Sequence, residues 1–158
     1  MFDITITGRI AQKKRIKNFV NDVMGHYFGK RLRRNIDLDI IMRRDLEEGQ
    51  VAGYCYGDKN EIVIELARTW SWDSRKNRVR RPFTHTEMVH TLAHELVHAK
   101  QFIRGEITSR LDKWRSKGYT FNCARTGYHN LPWEVEAYKT EDLLLEMYWE
   151  RPWQDEEA

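Results

Sequence analysis

Two cysteines in 158 residues, Cys55 and Cys123, give the chain no disulfide framework. They are expected as reduced thiols. Folding then rests on a packed core, which a chain of this length can bury. No apolar run approaches the roughly 20 residues that a membrane-spanning helix needs. The opening stretch MFDITITGRI has no basic segment followed by an apolar one. No secretion leader is expected there, and a cytoplasmic location is. No internal repeat and no low-complexity linker interrupts the chain. Hydrophobic residues make up 41% and charged residues 32%, a balance that suits one globular domain. Residues 1–150 form that domain in this reading, and 151–158 form an acidic tail.

Charge of one sign is not abundant overall, since the net charge is +3. It is clustered instead. Lys13, Lys14, Arg15 and Lys17 form one group, and Arg31 to Arg34 another. The stretch 75–81 carries five basic residues in seven positions. Such runs can contact phosphate, and Trp70 and Trp72 beside the third run could stack on bases. A weak nucleic-acid contact through 75–81 is therefore an alternative expectation. A solvated face is the plainer one.

Hydrophobic periodicity sets the elements. Phe2, Ile4 and Ile6 alternate with polar residues as a strand does. Ile16, Phe19, Val20, Val23 and Tyr27 recur at helical spacing and predict a helix over about 9–28, ending near Gly29. Ile36 to Met42 alternates again. Residues 51–56 and 61–67 read as a hairpin around Gly57–Asn60. Residues 69–82 read as a loop. Thr84 and Glu87 have capping-box spacing before a stripe of Met88, Leu92, Leu96, Ala99 and Ile103, with Gly105 as the stop. A last helix runs from Pro132 to about Trp149. Strand, helix, three strands, helix, loop and helix give an α+β class.

The stretch HTLAHELVHAKQ, residues 90–101, carries the chemistry. Positions i and i+4 on a helix lie about 40° apart, one turn above each other. His94 and His98 can thus bind one ion through two imidazoles. Measured from Met88 they fall near 240° and 280°, outside an apolar stripe at roughly 0–100°. Glu95 lies beside such an ion rather than on it. Zinc takes nitrogen ligands and, in a catalytic site, lowers the pKa of a water towards neutrality. Glu95 is placed to accept that proton as a carbonyl is attacked. A chance H-E-x-x-H in a chain this long arises roughly a few times in a thousand. His90 reads as a supporting or surface residue, and His85 as a surface one. Two histidines need a third ligand, and His129, Glu134 and Glu136 in YHNLPWEVEAY are the candidates.

On these residues the chain resembles the zincin metallopeptidases of the gluzincin type. His94, Glu95 and His98 match that group's first helix, and Glu134 followed by Ala137 matches its glutamate helix better than Glu136 followed by Lys139. HELVHA and KGYTF are also similar to small SprT-like metallopeptidase domains. Those supply a third histidine where Lys117 stands here, which favours a glutamate. The resemblance covers the zinc helix and about 40 following residues. It implies a zincin-like fold, in which a small mixed sheet packs on an active-site helix and a later helix supplies the third ligand. It also implies one Zn2+ per chain held by His94, His98 and Glu134, with Glu95 as general base. The substrate would be a protein or peptide that pairs with an edge strand, for which Glu61–Leu66 is the candidate. Tyr128, His129 and Tyr138 are candidates for stabilising the oxyanion. Trp70, Trp72, Trp114 and Trp133 read mainly as packing, Trp133 against the zinc helix.

Overall fold

The computed structural model describes residues 2–29, 31–73, 77–107, 113–116, 119–122 and 131–151, with backbone alone for Asp73, 113–116 and 119–122. His129, Tyr128, Cys123, Arg75 and the tail from 152 lie outside the described residues, as does the side chain of Trp114.

The chain is an α+β fold. Strand β1 (Phe2–Thr7) leads through α1 (Lys13–Phe28) to β2 (Ile36–Arg43). Strands β3 (Gly53–Gly57) and β4 (Glu61–Ala67) form a hairpin, antiparallel as expected. The four strands make one mixed sheet in the order β1-β2-β4-β3, with β1/β2 and β2/β4 parallel. Register puts Ile4, Leu38 and Ile62 in line across it. These side chains, with Ile36, Ile40, Ile64 and Leu66, share one face and are buried. Asp3, Thr5, Asp37 and Glu61 on the other face are exposed. The alternation visible in the sequence is that one-sided burial.

Three helices supply the other side of the core: α1, α2 (His85–Ile103) and α3 (Pro132–Glu150). Helix α1 begins four residues later than its periodicity suggests, because Gln12 adopts a left-handed conformation just before it (φ 58°). Helix α2 starts on a complete capping box, with Thr84 Oγ1 accepting from Glu87 N and Glu87 Oε1 accepting from Thr84 N, both at 3.1 Å. It ends at Gly105, whose φ of 69° few other residues tolerate. Its stripe residues Leu92, Leu96, Ala99 and Ile103 are buried.

Three expectations fail. Residues 69–82 are not a loop. Strands β5 (Thr69–Asp73) and β6 (Arg78–Pro82) form an antiparallel pair in which Trp70 and Trp72 stack at 4.3 Å. Nor is Glu61–Leu66 an edge. β4 is hydrogen-bonded on both sides, by β2 and by β3, and the sheet edge beside α2 is β3. A further hairpin, β7 (Lys113–Ser116) and β8 (Tyr119–Asn122), lies between α2 and α3 in sequence. Among the described residues no helix is long and apolar enough to cross a membrane.

Candidate metal centre

The C-terminal half of α2 is buried nearly all round, since the sheet covers one side and α3 another. Polar side chains there need partners. His94 and His98 point into the seam between α2 and α3, where Glu134 in the first turn of α3 meets them. His94 Nε2 lies 3.0 Å from Glu134 Oε2, and His98 Nε2 lies 3.0 Å from Glu134 Oε1. The two Nε2 atoms are 3.2 Å apart. Ligand atoms about 2.0–2.1 Å from one tetrahedral ion are separated by roughly 3.3 Å. The three groups therefore already stand near the spacing of three ligands on one ion, and all their ligand atoms lie within 4.8 Å of one another.

The far side of each imidazole is also engaged. His94 Nδ1–H donates to Glu141 Oε2 at 2.6 Å. His98 Nδ1–H donates to Gln101 Oε1 at 2.8 Å. Gln101 is itself fixed, donating from Nε2 to the Trp133 carbonyl at 3.0 Å. With Nδ1 of both rings turned to these partners, Nε2 of each faces the common point. A metal-ligating histidine needs this orientation. Glu141 and Gln101 were not singled out in the sequence. The signal for Glu141 was its position two turns after Glu134, on the same face of α3.

Glu136 does not enter the cluster. It pairs with Lys100 and accepts from Gln101 Nε2 at 3.2 Å. One step of 200° along α3 separates it from Glu134. His90 takes the supporting role, 3.0 Å from Glu141 Oε1. His85 is not the surface residue its position suggested: it is half-buried, 2.6 Å from the Tyr148 hydroxyl.

Charge is concentrated here. Burial works against a proton on His94, but the hydrogen bond to Glu134 and the charges of Glu95 and Glu141 prevail and hold its pKa up to about 9. Burial likewise opposes charge on His98, and Glu134 and Glu95 override it. Glu134 is pulled down to about 2, its own burial outweighed by the two histidines. A metal ion binding at these nitrogens has to displace protons, so its affinity falls as pH drops.

Glu95 is 7% exposed and makes no hydrogen bond to the described residues. Burial first, with Glu134 and Glu141, raises its pKa against the opposing pull of His98 and His94. A carboxylate in that state is a stronger base than one in water. Strand β3 passes close over it. A Cβ on Gly53 would lie 2.7 Å from Thr91 Cγ2 and 3.3 Å from Glu95 Cγ. Two cavities meet at Gly53 and Glu95. One, of about 450 Å3, runs past His98 and Glu134 and is walled by Val51, Cys55, Phe102, Ile107, Leu131 and Trp133. The other, of about 560 Å3, runs past His94 and is lined by Glu87, His90, Tyr138 and Glu141. The Tyr138 ring lies 4.7 Å from the His94 ring. Burial and the nearby Glu95 push the Cys55 thiol well up, so it is a poor nucleophile.

In the basic run, each described arginine faces a carboxylate. Arg78 pairs with Glu48 at 3.3 Å, Arg80 with Asp45 at 2.8 Å and Arg81 with Glu87 at 3.1 Å. Arg81 also lies over the Trp70 ring at 4.9 Å. These contacts tie β6 to its neighbours and leave less charge for phosphate.

A scan against protein-family models gives no match, and neither do searches of curated proteins and of solved structures.

Proposed function

We propose that the chain is a zinc-dependent peptide-bond hydrolase with a zincin-like arrangement. The observation that carries this reading is the convergence of His94 Nε2, His98 Nε2 and the Glu134 carboxylate at 3.0–3.2 Å, with Glu95 beside them. Two imidazoles and a carboxylate form a donor set that suits zinc and leaves a fourth position open. The fixed ring orientations fit the same ion. Bound there, zinc would lower the pKa of a water to near 7 and polarise a carbonyl.

The chain's own groups do the rest. Glu95 accepts the water proton on its carboxylate and returns it to the departing amide nitrogen. Its burial suits both steps, because a raised pKa lets it hold the proton between them. The edge of β3, unpaired among the described residues, receives an extended peptide by strand addition, and Gly53 lets that edge come close to Glu95. The 450 Å3 cavity takes a large apolar side chain next to the cut bond. Tyr138, on α3 one turn beyond Glu134, is the described candidate for donating a hydrogen bond to the oxyanion.

The test separates chemistry from binding. Glu95→Gln should keep about one zinc per chain by elemental analysis and lose cleavage of a peptide library by a factor on the order of a thousand. Cleavage that persists at the parent rate would remove Glu95 from the mechanism.

A further inference from the structure

The seam between α2 and α3 does not end at His94. One turn earlier on α2, His90 faces Glu141 and Asp142 of α3. His90 Nε2 lies 3.0 Å from Glu141 Oε1 and 3.6 Å from Asp142 Oδ1. The three ligand atoms all lie within 4.8 Å of one another. A single ring nitrogen thus stands between two carboxylates, and one N–H cannot satisfy both. We propose that His90, Glu141 and Asp142 form a second divalent-cation site, coupled to the first through Glu141.

The chemistry of the donors sets the class of ion. One imidazole and two carboxylate oxygens suit a borderline transition cation such as Zn2+ better than Mg2+, which prefers oxygen alone. The 560 Å3 cavity that His90 and Glu141 line leaves room for water on the remaining positions. The His90 side chain is 47% exposed and that of Asp142 83% exposed. A site so open binds more weakly than one sealed in the core.

Coupling follows from how Glu141 divides its oxygens. Oε1 faces His90, and Oε2 accepts from His94 Nδ1–H at 2.6 Å. An ion on Oε1 draws electron density from the carboxylate and weakens its grip on His94. The imidazole of His94 becomes a poorer ligand at its other nitrogen. Two like charges along one seam also repel. Filling the outer site therefore loosens the inner one, and by linkage the inner ion loosens the outer one. The expected behaviour is inhibition or metal loss at high zinc.

Equilibrium dialysis against zinc, followed by elemental analysis, tests this directly and does not depend on any substrate. The parent chain should reach one zinc at low free zinc and two at high. Asp142→Asn should keep the first and weaken the second about tenfold. Asp142 is exposed on α3, so the variant should fold, and circular dichroism checks it. In the parent, a filled second site should also speed release of the first zinc to a chelator, and Asp142→Asn should lose that acceleration. Saturation at one zinc, or a second zinc unaffected by Asp142→Asn, would overturn the proposal. Binding of no zinc at all would overturn this site and the inner one together.

Discussion

His85 and His90 stand in the first two turns of α2, and His94 and His98 in the next two. The first half meets solvent along much of its surface, and its structure is set locally by the Thr84–Glu87 box. The second half is enclosed by the sheet and α3, and its polar groups other than Glu95 meet partners on α3. His94 reaches Glu134 and Glu141, 40 and 47 positions away. His98 is held by Gln101, itself tied to Trp133. Local chemistry makes the helix begin, whereas enclosure turns two of its histidines into a preorganised pair. Partners on both ring nitrogens set the enclosed pair apart from the two histidines of the first half.

The largest expected effect breaks the enclosed half. Glu134→Ala should lower zinc affinity on the order of a thousandfold or more, because it removes one of three ligands. Glu136→Ala should leave zinc content near one per chain. It should cost about 1–3 kcal/mol of stability instead, since Lys100 is buried and loses one of its two carboxylate partners, keeping Glu106 and the Tyr27 ring. Elemental analysis and urea titration separate the two outcomes. Equal zinc loss in both variants would mean that the carboxylates act together and that the geometry of the seam is misassigned.

A smaller change tests the support rather than the ligand. Glu141→Ala leaves all three inner groups in place but frees His94 Nδ1. Zinc affinity should fall about 10–100-fold. An unchanged affinity would show that enclosure alone orients the imidazole.

Legibility in the sequence follows the same division. The helix, its capping box and the paired histidines rest on contacts within a few residues, and spacing reveals them. The strands were visible because only one sheet face is buried, so period two survives in β1, β2 and β4. The order of strands was not visible. β4 reads like any amphipathic strand, and nothing local to Glu61–Leu66 says that β2 and β3 flank it. The β5–β6 pair was hidden for another reason. Its alternation runs through Trp, Ser and Arg, and its outward arginines are held by Asp45, Glu48 and Glu87 rather than by water alone. Glu134 was favoured over Glu136 on a resemblance. Two positions of helix put them on opposite sides of α3, and which side meets the histidines shows only in distant contacts such as Glu136 with Lys100, 36 positions apart.

The exposed half of α2 should respond modestly and without touching zinc. Thr84→Ala removes the side-chain oxygen that accepts from Glu87 N, and should cost about 1 kcal/mol. Thermal denaturation measures it, and zinc affinity should stay within twofold of the parent by the same estimate of a local effect. A large fall in affinity would mean that the cap is coupled to the metal centre and that the two halves are not independent.

The smallest effect is a pH dependence at the start of the helix. His85 sits against the Tyr148 hydroxyl of α3, and Arg15 of α1 also faces this corner. Burial, then the Arg15 charge, lowers its pKa below the ordinary 6.5. Between that lowered value and 6.5 the unfolded chain binds a proton that the folded chain refuses. Stability therefore falls as pH drops through this window, and the contribution of His85 is fully present above pH 6.5. Comparing urea midpoints of the parent and His85→Gln across this range isolates the term, because the inner histidines titrate in both. The parent should lose more stability on acidification than the variant. The opposite sign would mean that His85 carries a proton in the folded state, and that the start of α2, like its enclosed half, holds a charged histidine against its neighbours.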